Sequence, residues 1–585
     1  MMMRRALQRG SSVGGHYLQQ TQRAHLHASR PTLAKILCAD SIDPVCIQIF
    51  KERGHEVDYK VGLSKEELLN IIPQYHGLVV RSATKVTGDV IAAADKLVVI
   101  GRAGVGVDNI DLPAATKKGV MVMNTPGGNT VSTAQLAFSL LAVSARSLAR
   151  ADMSMKEGKW ERSKFMGTEL AGKTLAVVGC GRIGQQVARW GQAFDMTVVG
   201  FDPVLPAASF KELGIKKCDL DKIWPQADFI TLHTPLTPDT KNLVNAESLA
   251  QMKKGVHIVN CARGGIVNEM DLLASLEAGH VGGAALDVYE KEPPGESTKK
   301  LLAHPNVSCT PHLGASTEEA QVNVAKDIAI QMCDTLESKD FVGVCNVGYM
   351  SIAQNQAIRP FADLAQQLGR VASQFALGKI TKLTISTWGQ TDISITSADA
   401  RALLKAQALV GLLSTKDTQG VLPGIVNAPF LAEEAGVVGE ALKETPALAS
   451  IASPYRNLIT VEAHVEGGGV TSVTGSVFGN EPCLVSLDNY KNFPALNLHD
   501  GSVLKFRNRD EPGAVSGVLE VLEEHKVNIA NLTLGRQDAD LALCLMSVDG
   551  EVPAAAVEQL KGLAQLNDVR TAKLGGSLQN KLPHD

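Results

Sequence analysis

Residues 174–184 read TLAVVGCGRIG, a short strand-forming run followed by glycines at 179, 181 and 184 in the spacing G-x-G-x-x-G. The stretch IGQQVARWGQAF after it has helical character, and a second apolar run, TVVGFD, ends on Asp202, eighteen residues past Gly184. Strand, glycine turn, helix, strand and acid in that order restrict the local fold to a βαβ unit around a tight backbone turn. Gly179 permits the turn, Gly181 lets a ligand approach the backbone, and Gly184 lets helix and strand pack closely. The first amides of a helix have no partner within it and mark its positive end, so the ligand expected here is a phosphate. Asp202 can accept from both ribose hydroxyls and would repel a 2′-phosphate, which predicts NAD rather than NADP.

The rest of the chain is organised around this unit. Upstream, ILCAD, HGLVVRSAT and LVVIGRAGVGVDNID alternate with helical stretches, the pattern of a parallel α/β domain, without the glycine motif. Residues 130–156 read as one long helix, apolar on more than one side and able to bridge two domains. After the motif come VVGFD, DFITLHTP, HIVNCARGG, GGAALDVYE and VSCTPHLG, which predict a six-stranded doubly wound sheet. The amphipathic helix at 316–339 would leave that sheet, and its simplest path returns to the first domain. The expected fold class is therefore α/β, a Rossmann-type domain (129–315) inserted in a flavodoxin-like domain (35–128 and 316–345). Residues 346–500 combine an Ala-rich helical part with the strands NLITVEAHV and VTSVTGSVF, an α+β module. Residues 501–577 read β-α-β-β-α-β, a ferredoxin-like order, with Pro512 placed in the first turn of its first helix.

Composition narrows the class. The net charge of −4 gives no basic surface for nucleic acid, and no stretch is apolar enough for a membrane helix. The ten cysteines show no CxxC pair or Cys/His cluster, so no disulfide framework or metal site is expected. Residues 1–34 carry five Arg and no acid, without a continuous apolar core. This segment is expected to be an organellar leader, mitochondrial first, with a cytoplasmic or plastid location as the alternatives.

Three residues stand after strands of the second sheet, where ligands bind in open α/β folds: Arg263, Glu292 and His312. Arg263 lies between HIVNCA and two glycines, and its forked donors suit a 2-hydroxy or 2-oxo acid. An imidazole paired with a carboxylate can move a hydroxyl proton near neutral pH.

The segments VVGCGRIG, NCARGGIVNE, GAALDVYEKEPP and TPHLGAS closely resemble the D-isomer-specific 2-hydroxyacid dehydrogenases. RSATKVT, GRAGVGVDNID and KWERSKFMGTEL resemble a long-form branch that acts on a phosphorylated substrate. The likeness runs from about Lys35 to the end and implies an intervening domain, resembling an allosteric substrate-binding domain, followed by an ACT regulatory domain. It implies NAD-dependent oxidation of 3-phospho-D-glycerate to 3-phosphooxypyruvate, the first step of L-serine biosynthesis. His312 would take the hydroxyl proton, Glu292 would orient it, and Arg263 would bind the carboxylate and carbonyl oxygen. The implied NAD contacts, with Gly179, Gly181 and Gly184, are Val105, Arg182, Ile183, Asp202, Thr234, Cys261, Ala262, Arg263, Asp287, His312, Leu313, Gly314 and Ala315. Val105 stands where some members have Thr, so only a backbone or packing contact carries over there. Arg81 and Ser82 would bind the phosphate, the turn Arg102, Ala103 and Gly104 the carboxylate, and Asn129 would add a further contact. Paired ACT domains would bind L-serine through Asn508, Asp510 and Asn528. Trp160 would dock into a neighbouring subunit of a homodimer or homotetramer. The competing readings are a reductase of 2-oxoglutarate, hydroxypyruvate or glyoxylate, and a non-catalytic NAD-sensing scaffold.

Overall fold

The computed structural model describes residues 33–575 except 338, 354, 390–394, 417, 419–422, 443–454, 489, 499 and 539–540. All but the last two residues of the expected leader lie outside that range.

Strands β1 (Lys35–Cys38), β2 (Glu56–Tyr59), β3 (Gly77–Val80), β4 (Val99–Arg102) and β5 (Met121–Asn124) form a parallel sheet in the order β2-β1-β3-β4-β5. Its central strands are covered on both faces, which is why they read as unbroken apolar runs. Leu78, Val80, Ile100 and Val122 enter one apolar cluster, while Val79, Val99, Met121 and Met123 enter the other. The helix Glu318–Leu336 completes the second cluster, with Thr317 capping its start by accepting from Ala320 N. Its Met332 lies so close to the sheet that a Cβ on Gly101 would sit 2.2 Å from Sδ.

The second sheet contains β6 (Thr174–Val178), β7 (Thr197–Phe201), β8 (Lys216–Lys217), β9 (Phe229–Leu232), β10 (Val256–Asn260), β11 (Val281–Leu286) and β12 (Val307–Cys309). All seven are parallel, in the order β12-β11-β10-β9-β6-β7-β8. The sequence predicts six. The seventh, β8, is two exposed lysines at the sheet edge, too short and too polar to register as an apolar run. Strand order reverses beside β6, which opens a crevice at its carboxyl end.

The single helix expected at 130–156 is two, Thr130–Ala145 and Leu148–Lys156, bent by 68°. The bend falls at Ser147, whose φ of 50° is left-handed. No glycine or proline marks it. The first helix buries Ala134, Ala137, Leu140 and Leu141 against the second sheet, whereas the next leaves Leu148, Met153 and Met155 exposed.

Strands β13 (Ile380–Gly389), β14 (Val438–Leu442), β15 (Asn457–Val465), β16 (Val470–Phe478), β17 (Glu481–Leu487) and β18 (Tyr490–Asn497) form a third sheet, antiparallel except for the parallel pair β13–β14. The helices Arg359–Phe375 and Ala398–Leu413 lie on it in backbone contact: a Cβ on Gly369 would be 2.0 Å from Ala408 O. The last sheet, β19 (Ser502–Arg509), β20 (Ile529–Asp538), β21 (Leu541–Val548) and β22 (Leu566–Lys573), is antiparallel in the order β20-β21-β19-β22. With the helices Ser516–Glu524 and Ala554–Lys561 it makes the predicted β-α-β-β-α-β unit. Pro512 lies four residues before that first helix rather than in its first turn, because Gly513, at φ 90°, still belongs to the connecting turn.

Candidate active site

At the end of β6 the chain turns at Gly179, with φ 93°. A Cβ there would be 2.6 Å from His233 O, and one on Gly184 would be 2.0 Å from Gly179 O. Gly181 differs: its backbone is ordinary, and nothing lies within 4 Å of its Cβ position. Gly179 and Gly184 serve packing, and Gly181 keeps the mouth of the turn open. The helix Arg182–Ala193 then begins with no side chain capping its amides, so Arg182 and Ile183 present an uncapped positive end. Asp202, just past β7, accepts from Cys180 N at 2.9 Å through Oδ2 and from Val204 N and Leu205 N at 2.9 and 3.0 Å through Oδ1. It therefore ties the glycine turn to the next strand, and a carboxylate has acceptor capacity left for ribose hydroxyls. Thr234 Oγ1, beside Gly179, is buried without a partner among the described residues. An open glycine cradle, an uncapped helix start, an acid one strand away and an orphaned hydroxyl fit a dinucleotide.

Two loops after β11 and β12 build the second half of the site. Asp287 is only 1% exposed, and its carboxylate accepts from Thr310 Oγ1 (2.6 Å), Leu313 N (2.7 Å) and Gly314 N (2.9 Å), while its carbonyl accepts from His312 N. Asp287 thus braces the loop from His312 to Ala315. Ser132 and Thr133 brace it from the other side, both donating to Gly314 O at 2.5 and 2.9 Å. His312, held at φ 56°, places Nδ1 2.7 Å from Glu292 Oε2. With Nδ1 donating to the carboxylate, Nε2 is the nitrogen left for a substrate. Glu292 Oε1 also accepts from Tyr289 N at 3.2 Å.

Arg263 follows β10 in a loop pinned by Asn260, which donates to Arg263 O at 3.0 Å and accepts from Ala262 N at 3.1 Å. Cys261 beside it is buried, and burial pushes its thiol upward, so it stays protonated. Gly264 brings this loop against the one that carries Glu292, since a Cβ there would sit 1.7 Å from Tyr289 O. The Arg263 guanidinium reaches the first unit, with Nε 3.5 Å from Asp108 Oδ2 and Nη2 over Gly106.

On the first unit, Arg81 N donates to Asp40 Oδ2 at 2.6 Å, its Nη1 donates to Ser41 O at 3.1 Å, and Ser82 beside it is exposed. In the turn after β4, Ala103 N is bonded to Val80 O and Gly104 N to Thr125 Oγ1, so the donor this turn offers a substrate is the Arg102 side chain. Burial draws the Arg102 guanidinium below its ordinary value, and the charges of Arg263 and Arg81 act in the same direction against those of Asp108 and Asp40. The guanidinium groups of Arg81 and Arg263 thus both lie within electrostatic reach of Arg102. Val105 gives its carbonyl to Asn124 Nδ2, and Asn129 Oδ1 is buried without a partner among the described residues.

The three effector candidates do not meet within one chain. Asn508 and Asp510 lie at the carboxyl end of β19, whereas Asn528 precedes β20, whose start pairs with the end of β21 that faces Ser502. A full strand length separates them. Asp510 is paired with Arg536 at 2.6 Å, and Asn528 donates to Asp549 at 2.6 Å.

Residues 138–314 match the D-isomer specific 2-hydroxyacid dehydrogenase, NAD binding domain, family, residues 357–488 the D-3-phosphoglycerate dehydrogenase intervening domain, and residues 502–565 the ACT domain. A D-3-phosphoglycerate dehydrogenase of Rattus norvegicus is 42% identical over 85% of this chain and 91% of its own. Those of Synechocystis sp. and Methanocaldococcus jannaschii are 40% and 38% identical, each over 93% of this chain and over 95% and 100% of their own. The chain belongs to the D-3-phosphoglycerate dehydrogenase family. As a member of that family it is an NAD-dependent oxidoreductase, and its last two units are the intervening and ACT domains that accompany the catalytic part. Sequence reasoning missed Asn260, Asn109, Asp40, Ser132 and Thr133, which hold the loops around the site. Each is a polar residue in or beside a motif already singled out, and only its partners mark it.

Proposed function

We infer that this chain oxidises 3-phospho-D-glycerate to 3-phosphooxypyruvate with NAD, the step that opens serine biosynthesis. The observation that carries the substrate is the grouping of Arg81, Arg102 and Arg263. Two like charges acting on Arg102 are relieved by a ligand that is anionic at both ends, one phosphate and one carboxylate. Arg263 binds the carboxylate and the C2 oxygen, and Arg81 with Ser82 takes the phosphate, joined by the Arg102 guanidinium, because the amides of Ala103 and Gly104 expected at the carboxylate are already bonded to Val80 O and Thr125 Oγ1. His312 Nε2 accepts the C2 hydroxyl proton while Glu292 holds Nδ1 and stabilises the imidazolium that forms. NAD, when bound in the glycine cradle, supplies the acceptor for the C2 hydride. Glyoxylate and hydroxypyruvate carry no phosphate for Arg81, and a mere NAD sensor needs no His312–Glu292 pair.

The test is turnover of the purified full chain with NAD and 3-phosphoglycerate, followed at the NADH absorbance with the product trapped. Tight NADH binding without turnover would favour the sensing scaffold. Turnover with equal efficiency on an unphosphorylated 2-hydroxy acid would remove the phosphate assignment.

The separation of Asn528 from Asn508 and Asp510 supports an effector site shared between two ACT domains, with L-serine as its ligand. Trp160, 75% exposed, and Met166, 88% exposed, support self-association as a homodimer or homotetramer. The Arg-rich segment 1–34 supports a mitochondrial destination. Serine titration during turnover, light scattering and a reporter fused to residues 1–34 test these in turn.

A further inference from the structure

Asn109 is half-buried in the loop after β4, between the segments that carry Arg81 and Arg102. Its side chain is fully committed. Nδ2 donates to the carbonyl oxygens of Arg81 and Thr84, at 2.8 and 2.7 Å, and Oδ1 accepts from Arg102 Nε at 3.0 Å. Its own carbonyl accepts from Val86 N at 2.8 Å, which fixes the amide against the far side of the RSAT segment. One side chain therefore holds Arg81 by its main chain and Arg102 by its guanidinium. The second grip leaves the two terminal nitrogens of Arg102 to a ligand, with Nη1 over Gly104, where a Cβ would be 2.7 Å away.

The choice of an amide has a physical reason. Arg102 is crowded by Arg263 and Arg81, so an unheld guanidinium would swing to solvent. A carboxylate at 109 would hold it more tightly but would offset its charge toward an incoming anion and would repel the carbonyls of Arg81 and Thr84. A neutral amide supplies one acceptor and two donors and leaves the cation charged.

We propose that Asn109 is a positioning residue that sets the spacing between Arg81 and Arg102, so that the two receive a substrate phosphate together and the enzyme selects phosphorylated over unphosphorylated 2-hydroxy acids. This rests on the reading of Arg81 as a phosphate ligand.

The experiment compares the full-length wild type with Asn109→Ala, Asn109→Asp and Arg81→Ala. The readouts are KM and kcat for 3-phosphoglycerate and for D-glycerate, NADH affinity by fluorescence, and the thermal midpoint. Asn109→Ala is expected to raise KM for 3-phosphoglycerate about tenfold, with kcat and the D-glycerate KM changed less than about threefold. Asn109→Asp should raise it further, and NADH affinity should hold in both. Unchanged KM values in both variants, while Arg81→Ala raises KM for 3-phosphoglycerate alone, would overturn the role of Asn109. Equal losses on both substrates, or loss of NADH affinity alongside them, would make Asn109 a structural brace and overturn it as well. Equal losses for Arg81→Ala would instead remove the phosphate reading beneath it. If Asn109→Ala does not fold, Asn109→Asp, which matches the native shape, decides.

Discussion

His312 Nδ1 lies 2.7 Å from Glu292 Oε2, and the two residues stand on different loops, after β12 and β11. The bond fixes which ring nitrogen faces the substrate, and the charge steadies the imidazolium. Glu292→Gln keeps an acceptor for Nδ1 and removes the charge. It should lower kcat by about ten- to a hundredfold with KM changed only a few-fold. Steady-state kinetics on folded protein checks this, and an equal fall of substrate affinity would count against the role.

Gly181 and Gly184 should part company under substitution. A Cβ on Gly181 meets nothing within 4 Å, so Gly181→Ala should leave the thermal midpoint in place and weaken NADH binding about tenfold or more by blocking the approach to the backbone. A Cβ on Gly184 would be 2.0 Å from Gly179 O, so Gly184→Ala should cost about 3 kcal/mol of stability. Thermal unfolding and NADH fluorescence on both variants separate the two effects.

Asp202 has two jobs. Asp202→Ala should weaken NAD binding and raise the NADP/NAD ratio of kcat/KM about tenfold or more, because the charge that repels a 2′-phosphate is gone. It should also cost about 1–2 kcal/mol, since Cys180, Val204 and Leu205 lose their amide acceptor. An unchanged coenzyme ratio would show that another group sets the preference.

Burial pushes His233, between β9 and Thr234, down to about 4 from an ordinary value near 6.5. The unfolded chain then binds more protons than the folded one between those values. Stability is full above pH 6.5 and falls as pH drops toward 4, by up to about 3 kcal/mol from this group. The thermal midpoint of the wild type should therefore decline through that window more steeply than that of His233→Asn. Parallel declines would place the acid sensitivity elsewhere, in His257 or His55, whose burial lowers them as well.

Much of the architecture was legible because its signals are local. The dinucleotide unit declared itself through glycines 179, 181 and 184 and Asp202, and the ferredoxin-like unit through its alternation of short strands and helices. The misreadings fell where local signals are silent. The bend at Ser147 carries no helix breaker, the edge strand Lys216–Lys217 carries no apolar residue, and Pro512 is kept out of its helix by the turn at Gly513. Packing decided all three.

The amino-acid sequence by itself determined the cofactor class and the residue types that do the chemistry, because phosphate cradles and forked cations depend on short motifs. Only the tertiary structure decided how those residues are held. Asp287 and the adjacent pair Ser132 and Thr133 grip the His312 loop from two distant places in the chain, and Asn109 joins Arg81 to Arg102. Hydrogen bonds between distant segments leave no periodicity and no spacing to read. They exist only once two sheets and their loops have closed on one another.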